Sequence, residues 1–163
     1  MEAAGLGGCI HSAVMYNTYM NDGERGDQAG LFTLLHAAGV AGDHVESKLA
    51  AVGLSLAKLA ALTALRQAGE SLPLSQLAER LSCVKSNITQ LVDRLEADGL
   101  VSRTADPHDR RSRLAVMTAA GRKACEAGTR IQQQAEQLLL SELSGTDRRQ
   151  LAALMAKLEK SAR

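Results

Sequence analysis

The chain has 163 residues, 45% of them apolar, and a formal net charge of +1. That length accommodates one well-buried domain and is short for two. A near-neutral total neither announces nor excludes a nucleic-acid partner, because affinity for DNA follows the phosphates locally neutralised rather than the overall charge.

The aromatic residues are Tyr16, Tyr19 and Phe32, so burial must come from Leu, Ala, Val and Met, which predicts a mainly helical fold. Cys9, Cys83 and Cys125 form no Cys-x-x-Cys motif and no obvious pairing, which suits a reducing cytoplasm. No apolar run is long enough for a membrane span, and no secretion signal is expected at the N-terminus.

Residues 1–28 are rich in glycine, Asn and Asp, and read as a poorly ordered extension or an extra helix, with Met20 as an alternative start. From residue 29 the pattern becomes that of one domain. Leu31, Leu34, Leu35, Ala38, Val45, Leu49 and Val52 recur at helical spacing, softened by Gly39 and Gly42. Gly53 and Ser55 mark a stop and a new N-cap, and Leu56, Leu59, Leu62 and Leu65 form the next helix, ended by Gly69. Pro73 and Ser75 introduce a short helix in which Leu77, Ala78 and Leu81 face inward.

The most informative stretch runs from Leu77 to Arg113. Val84, Ile88, Leu91, Val92 and Leu95 predict the inward face of a helix. Lys85, Ser86, Asn87, Thr89, Gln90 and Arg94 predict its outer face, a set of donors and acceptors suited to base edges and phosphates. Gly99 stops this helix, and two strand-like runs around Val101 and Val116 flank a charged turn at Asp106 to Arg113. Arg103, Arg110, Arg111 and Arg113 cluster there. Helix, helix, hairpin is the order of a winged helix-turn-helix. Thr118 then caps a long helix expected to reach Leu143, with Ala120, Ala124, Ala127, Ile131, Ala135 and Leu138 on its stripe. After Ser144 to Thr146, Asp147 opens a last helix striped by Leu151, Leu154, Met155 and Leu158. Narrow apolar stripes of this kind need a partner surface.

The run ITQLVDRLEADGLVSR, the wing DPHDRRSR and the following VMTAAGR resemble the MarR family of bacterial transcription regulators. That family's wing reads Asp-x-x-Asp-Arg-Arg before a Leu-Thr-x-x-Gly helix start. The resemblance extends in pattern from about Leu31 to the C-terminus and is densest between Leu54 and Gly121. It implies a mainly α fold with a small β hairpin: a winged helix-turn-helix lobe at 54–117 and dimerisation helices at 29–53 and 118–163. It also implies a homodimer on double-stranded DNA, an inverted-repeat operator and control by a small, often phenolic or anionic effector.

On that footing Asn87 and Gln90 can pair with adenine, Lys85 with guanine or phosphate, and Ser86, Thr89 and Arg94 with either bases or backbone. Among the wing cations Arg110, Arg111 and Arg113 suit a narrow minor groove, while Asp109 is expected to stiffen the wing through an ion pair. Relatives commonly hold a serine where Val84 stands, which leaves Ser82 or Ser86 as the helix cap. Effector candidates, by location alone, are His36, His44, Lys48, Lys58 and Arg66. No resident metal or cofactor is expected. A metal-responsive variant would draw on Cys9, His11, His36, Asp43, His44 and Glu46, whose spacing matches no closed site. A redox-responsive one would use Cys83, which its neighbours Leu81 and Val84 instead place in the core, as Cys125 is placed. No phosphate loop, nucleophile elbow or carboxylate pair suggests an enzyme. A winged helix that binds protein is the remaining alternative, and lack of a steep salt dependence would identify it.

Overall fold

The fold is that of a computed structural model in which residues 30–107 and 112–161 are described. The expected N-terminal extension, the wing-tip residues Asp109, Arg110 and Arg111, and the side chain of Lys85 lie outside the described set. In chain order the elements are α1 (Leu31–Ala50), α2 (Leu56–Gln67), β1 (Ser71–Pro73), α3 (Leu74–Arg80), α4 (Lys85–Ala97), β2 (Val101–Ala105), β3 (Arg113–Met117), α5 (Ala119–Leu139) and α6 (Gly145–Ser161). Among the described residues no helix is long and apolar enough to cross a membrane.

Backbone contacts divide the chain into two units, one ending at His44 and the other starting at Val45. The first holds the opening turns of α1, on which Phe32, Leu35 and Val40 are exposed. Helix α1 continues through Gly39 and Gly42 to Ala50, so those glycines soften the pattern without breaking the helix. Val52 falls beyond its end and is exposed, contrary to its place in the sequence pattern.

The second unit carries the core. Leu49, Leu62, Leu65, Leu77, Ile88 and Leu95 are among its largest fully buried side chains. Each such burial stabilises the fold by roughly 1.5–3 kcal/mol. Two side chains start α2: Ser55 Oγ accepts from Lys58 N at 3.1 Å, and Glu46 Oε2 accepts from Leu56 N at 2.7 Å. Glu46, one of the residues a metal-responsive variant would draw on, therefore serves as a cap at the positive end of α2.

The sheet is antiparallel, with order β1-β3-β2. Strand β1 was not legible as a strand: it has three residues, ends in a proline, and pairs with the far arm of the hairpin (Ser71↔Val116, Pro73↔Leu114). Proline is tolerated there because β1 lies at the sheet edge, where a missing N–H breaks no central ladder.

Helix α5 keeps part of its predicted stripe, with Ala135 buried and Ala124 and Ile131 packed against the core, and departs from it elsewhere. Its buried residues are Gly121, Cys125, Gly128 and Ala135, whereas Leu138 is exposed. Small residues line this face because α5 packs closely on its neighbours: a Cβ at Gly128 would come within 2.7 Å of Leu54 Cδ1 and 2.8 Å of Leu59 Cδ1. The helix also ends at Leu139, short of Leu143. Ser141 turns back on Leu138 O at 2.8 Å, and Arg148 donates to Leu140 O at 2.6 Å and Leu143 O at 3.1 Å, satisfying carbonyls beyond the last turn. Ser144 and Asp147 then form a reciprocal cap on α6: Asp147 Oδ2 accepts from Ser144 N at 2.9 Å and Asp147 N donates to Ser144 Oγ at 3.2 Å. No residue of α6 is buried.

Candidate nucleic-acid interface

Helices α3 and α4 are joined by Leu81 to Val84, a turn too short to leave the helices independent. Ser82 takes the left-handed conformation (φ 51°), Ser82 N donates to Glu79 O at 3.1 Å, and Cys83 N donates to Ala78 O at 2.9 Å. This closes the end of α3 and redirects the chain into α4.

Three expectations about the turn are corrected. Val84 is the N-cap residue and is 64% exposed, because its backbone is still extended there and the helical periodicity that suggested burial starts one residue later. Its side chain offers no cap hydrogen bond, and neither Ser82 nor Ser86 occupies the cap position. Cys83 is likewise exposed, its thiol directed to Leu81 O at 3.4 Å, whereas Cys125 is fully buried as expected.

From Lys85 the helix sorts its faces cleanly. Ile88, Val92 and Leu95 are buried and Leu91 is half-buried, while Ser86, Asn87, Thr89, Gln90 and Arg94 are exposed. The predicted donors and acceptors thus occur together on one accessible helix face. The helix ends at Asp98 and Gly99, whose φ of +69° lets Leu100 N reach back to Leu95 O at 2.8 Å. Strand β2 follows at once.

The hairpin is laddered from Val101↔Met117 to Ala105↔Arg113 and continues to Asp106 N, which donates to Ser112 O at 3.2 Å. Arg113 opens β3 and is exposed. Arg103, grouped with the wing cations by sequence, is instead engaged with α4. Its guanidinium pairs with Asp93 and with Glu96 Oε2 at 3.2 Å and donates to Thr89 O at 3.1 Å, while its backbone N donates to Glu96 Oε1 at 3.0 Å.

Thr118 connects the end of α4 to α5. Its hydroxyl donates to Gly99 O at 2.7 Å and accepts from Gly121 N at 3.0 Å, and its backbone N donates to Leu100 O at 3.1 Å. Lys58 Nζ pairs with Asp98 Oδ2 at 2.6 Å, so this effector candidate is engaged in holding α2 to the end of α4. Arg122 similarly pairs with Glu70 at 2.6 Å.

Of the other effector candidates, His36, Lys48 and Arg66 are exposed, His44 is half-buried, and none lines the groove of about 520 Å³ formed by α2, α3 and α5. That groove has an apolar wall including Leu56 and Leu59, with Thr63, Gln67, Arg80 and Gln132 as polar groups. Arg80 and the two glutamines escaped sequence reasoning because they sit on three different helices. Among the described residues no group of three or more His, Cys, Asp or Glu could hold a metal ion.

Residues 54–112 match the MarR family. Among curated relatives, the HTH-type transcriptional regulator YdgJ of Bacillus subtilis is 29% identical over 109 residues, covering 67% of this chain and 66% of its own. Two further curated relatives match over 45% and 54% of their lengths, so this chain spans about two thirds or less of each. Solved structures match more completely. A cysteine-to-serine mutant of MarR from E. coli complexed with operator DNA superposes with a TM-score of 0.73 at 25% identity, covering 78% of this chain and 92% of that one. A probable transcriptional regulator from Pseudomonas aeruginosa has the same TM-score at 31% identity, with 81% and 97% covered. The match of residues 54–112 to the family, together with a shared fold over nearly the whole of these structures, establishes that the chain belongs to the MarR family, whose members are transcriptional regulators and not enzymes.

Proposed function

We propose that this protein is a cytoplasmic, sequence-specific DNA-binding regulator that works as a homodimer on an inverted repeat and acts as a ligand-responsive repressor. The observation that carries the reading is the exposed row Ser86, Asn87, Thr89, Gln90 and Arg94 on α4, ahead of a β hairpin whose arm bears Arg113. In this reading Asn87 and Gln90 read adenine edges, Lys85 and Arg94 hold guanine or phosphate, and Arg110, Arg111 or Arg113 enters the minor groove. Asp109 stiffens the wing.

Homodimerisation is supported by the unburied stripe of α6, where Leu151, Leu154 and Leu158 remain exposed, and by Phe32 and Leu35 on α1. In the proposed division, 29–53 and 118–163 supply the dimer contacts and 54–117 the reading lobe. The groove bounded by Gln67, Arg80 and Gln132 has the volume of a small-ligand site, and its guanidinium suits an anionic group. An effector there relieves repression only if it binds the non-operator conformation more tightly.

Selection of duplexes from a randomised pool tests this reading. The expected result is an inverted repeat with half-site centres about 10 base pairs apart. Recovery of no consensus would favour a protein-binding winged helix. A second reading, redox control of the same fold, draws on the exposure of Cys83 beside α4; peroxide treatment that leaves operator affinity unchanged would remove it.

A further inference from the structure

The exposed face of α4 is not uniformly suited to DNA. Asp93 lies one turn beyond Thr89 and Gln90, and its side chain is 54% exposed; Glu96, three residues on, is 41% exposed. Carboxylates beside a phosphate-facing surface repel the backbone that the neighbouring side chains must approach. Arg103 meets both. Placed on β2, it pairs through Nη1 with Asp93 and Glu96, and its Nη2 is held by Thr89 O at 3.1 Å. Its backbone N also fixes the Glu96 carboxylate at 3.0 Å.

We propose that Arg103 is a positioning residue for DNA reading, which acts through Asp93 and Glu96 by holding and neutralising both carboxylates beside the reading face. The inference rests on α4 being the helix that faces DNA. Direct phosphate contact is a poor alternative, since both terminal nitrogens of the guanidinium already face acceptors within the protein. Fold stability is also a poor explanation, because ion pairs this exposed contribute little to folding. The arrangement has a sharper consequence: loss of Arg103 leaves an unmasked double negative charge, and removing that charge should restore binding.

The test uses a duplex recovered by selection on the wild-type protein, with sheared genomic DNA as competitor. Arg103→Ala is expected to weaken binding about tenfold at low salt, with the loss shrinking as salt screens the carboxylates. Adding Asp93→Asn and Glu96→Gln to that variant is expected to recover most of the affinity. Unchanged binding in Arg103→Ala, or a combined variant no tighter than Arg103→Ala, would overturn the proposal. If Arg103→Ala does not fold, Asp93→Asn with Glu96→Gln in the wild-type background decides: affinity equal to or tighter than wild type supports masking, and weaker affinity contradicts it. Gln90→Ala separates the two levels. An unaltered selected consensus in that variant would sink the α4 reading and this proposal with it, whereas an altered consensus beside an unaffected Arg103→Ala would sink the proposal alone.

Discussion

Gly121→Ala should be among the most damaging small substitutions in the chain, although alanine is the better helix former. A Cβ at Gly121 would lie 2.0 Å from Leu100 O and 3.1 Å from Met117 Cγ. Carbon contacts are comfortable only from about 3.5 Å, so α5 must retreat by more than about 1 Å from the backbone between α4 and β2. That retreat strains the hydrogen bonds from Thr118 to Gly99 O and Leu100 O, which are 2.7 Å and 3.1 Å long. Overpacking costs about 1–3 kcal/mol, each weakened hydrogen bond adds up to about 1 kcal/mol, and the gain in helix propensity offsets about 1 kcal/mol. The net expectation is a loss of about 2–3 kcal/mol. Gly128→Ala is the control. Its new Cβ meets the ends of Leu54 and Leu59 side chains, which can rotate away, so its loss should be about 1 kcal/mol or less. Urea unfolding at a fixed protein concentration, followed by circular dichroism, measures both. A Gly121→Ala protein as stable as wild type, or a larger loss at Gly128, would show that the approach of α5 to the Leu100 carbonyl does not limit stability.

Ser82→Gly should stabilise the protein by about 0.5–1 kcal/mol, because Ser82 holds φ 51° in the turn between α3 and α4; a destabilised variant in the same urea assay contradicts this. Asp147 is held below its ordinary pKa, first by the Ser144 hydroxyl and then by the Ser144 backbone N–H. Its contribution is therefore fully present above the ordinary aspartate pKa and fades as pH falls through the lowered folded value. Asp147→Asn should accordingly lower helix content at neutral pH, with the difference vanishing in strong acid; a pH-independent difference would count against the cap. Leu154→Asp should yield monomers in sedimentation, as the exposed α6 stripe is the proposed dimer surface, and an intact dimer would remove that assignment. A thiol reagent should label Cys83 in the native protein and Cys125 only after unfolding; equal native labelling would contradict the exposure of the first and the burial of the second.

Periodicity made the large apolar residues legible. Ile88, Val92 and Leu95 were placed correctly because a helix repeats its faces and bulky side chains report them. The same rule failed at its edge: Val84 continues the spacing arithmetically, yet the chain there is not helical, and Cys83 was misplaced with it. On α5 the rule selected visible hydrophobes such as Leu138, while the inward face is marked by Gly121 and Gly128, whose contribution is the space they leave. Arg103 illustrates a different blindness. Sequence proximity assigned it to the wing, but its partners Asp93 and Glu96 become neighbours only when β2 folds back along α4. The groove lined by Gln67, Arg80 and Gln132 is equally nonlocal, and none of the effector candidates chosen by position along the chain lines it.

Whether α4 reads bases is decided by repeating the DNA selection with Asn87→Ala and Gln90→Ala beside the wild-type protein. The expected result is an inverted repeat for the wild type and a loss of preference at a defined position in each half-site for each variant, worth about 1–3 kcal/mol, with the other positions unchanged. A consensus identical in all three proteins would contradict it.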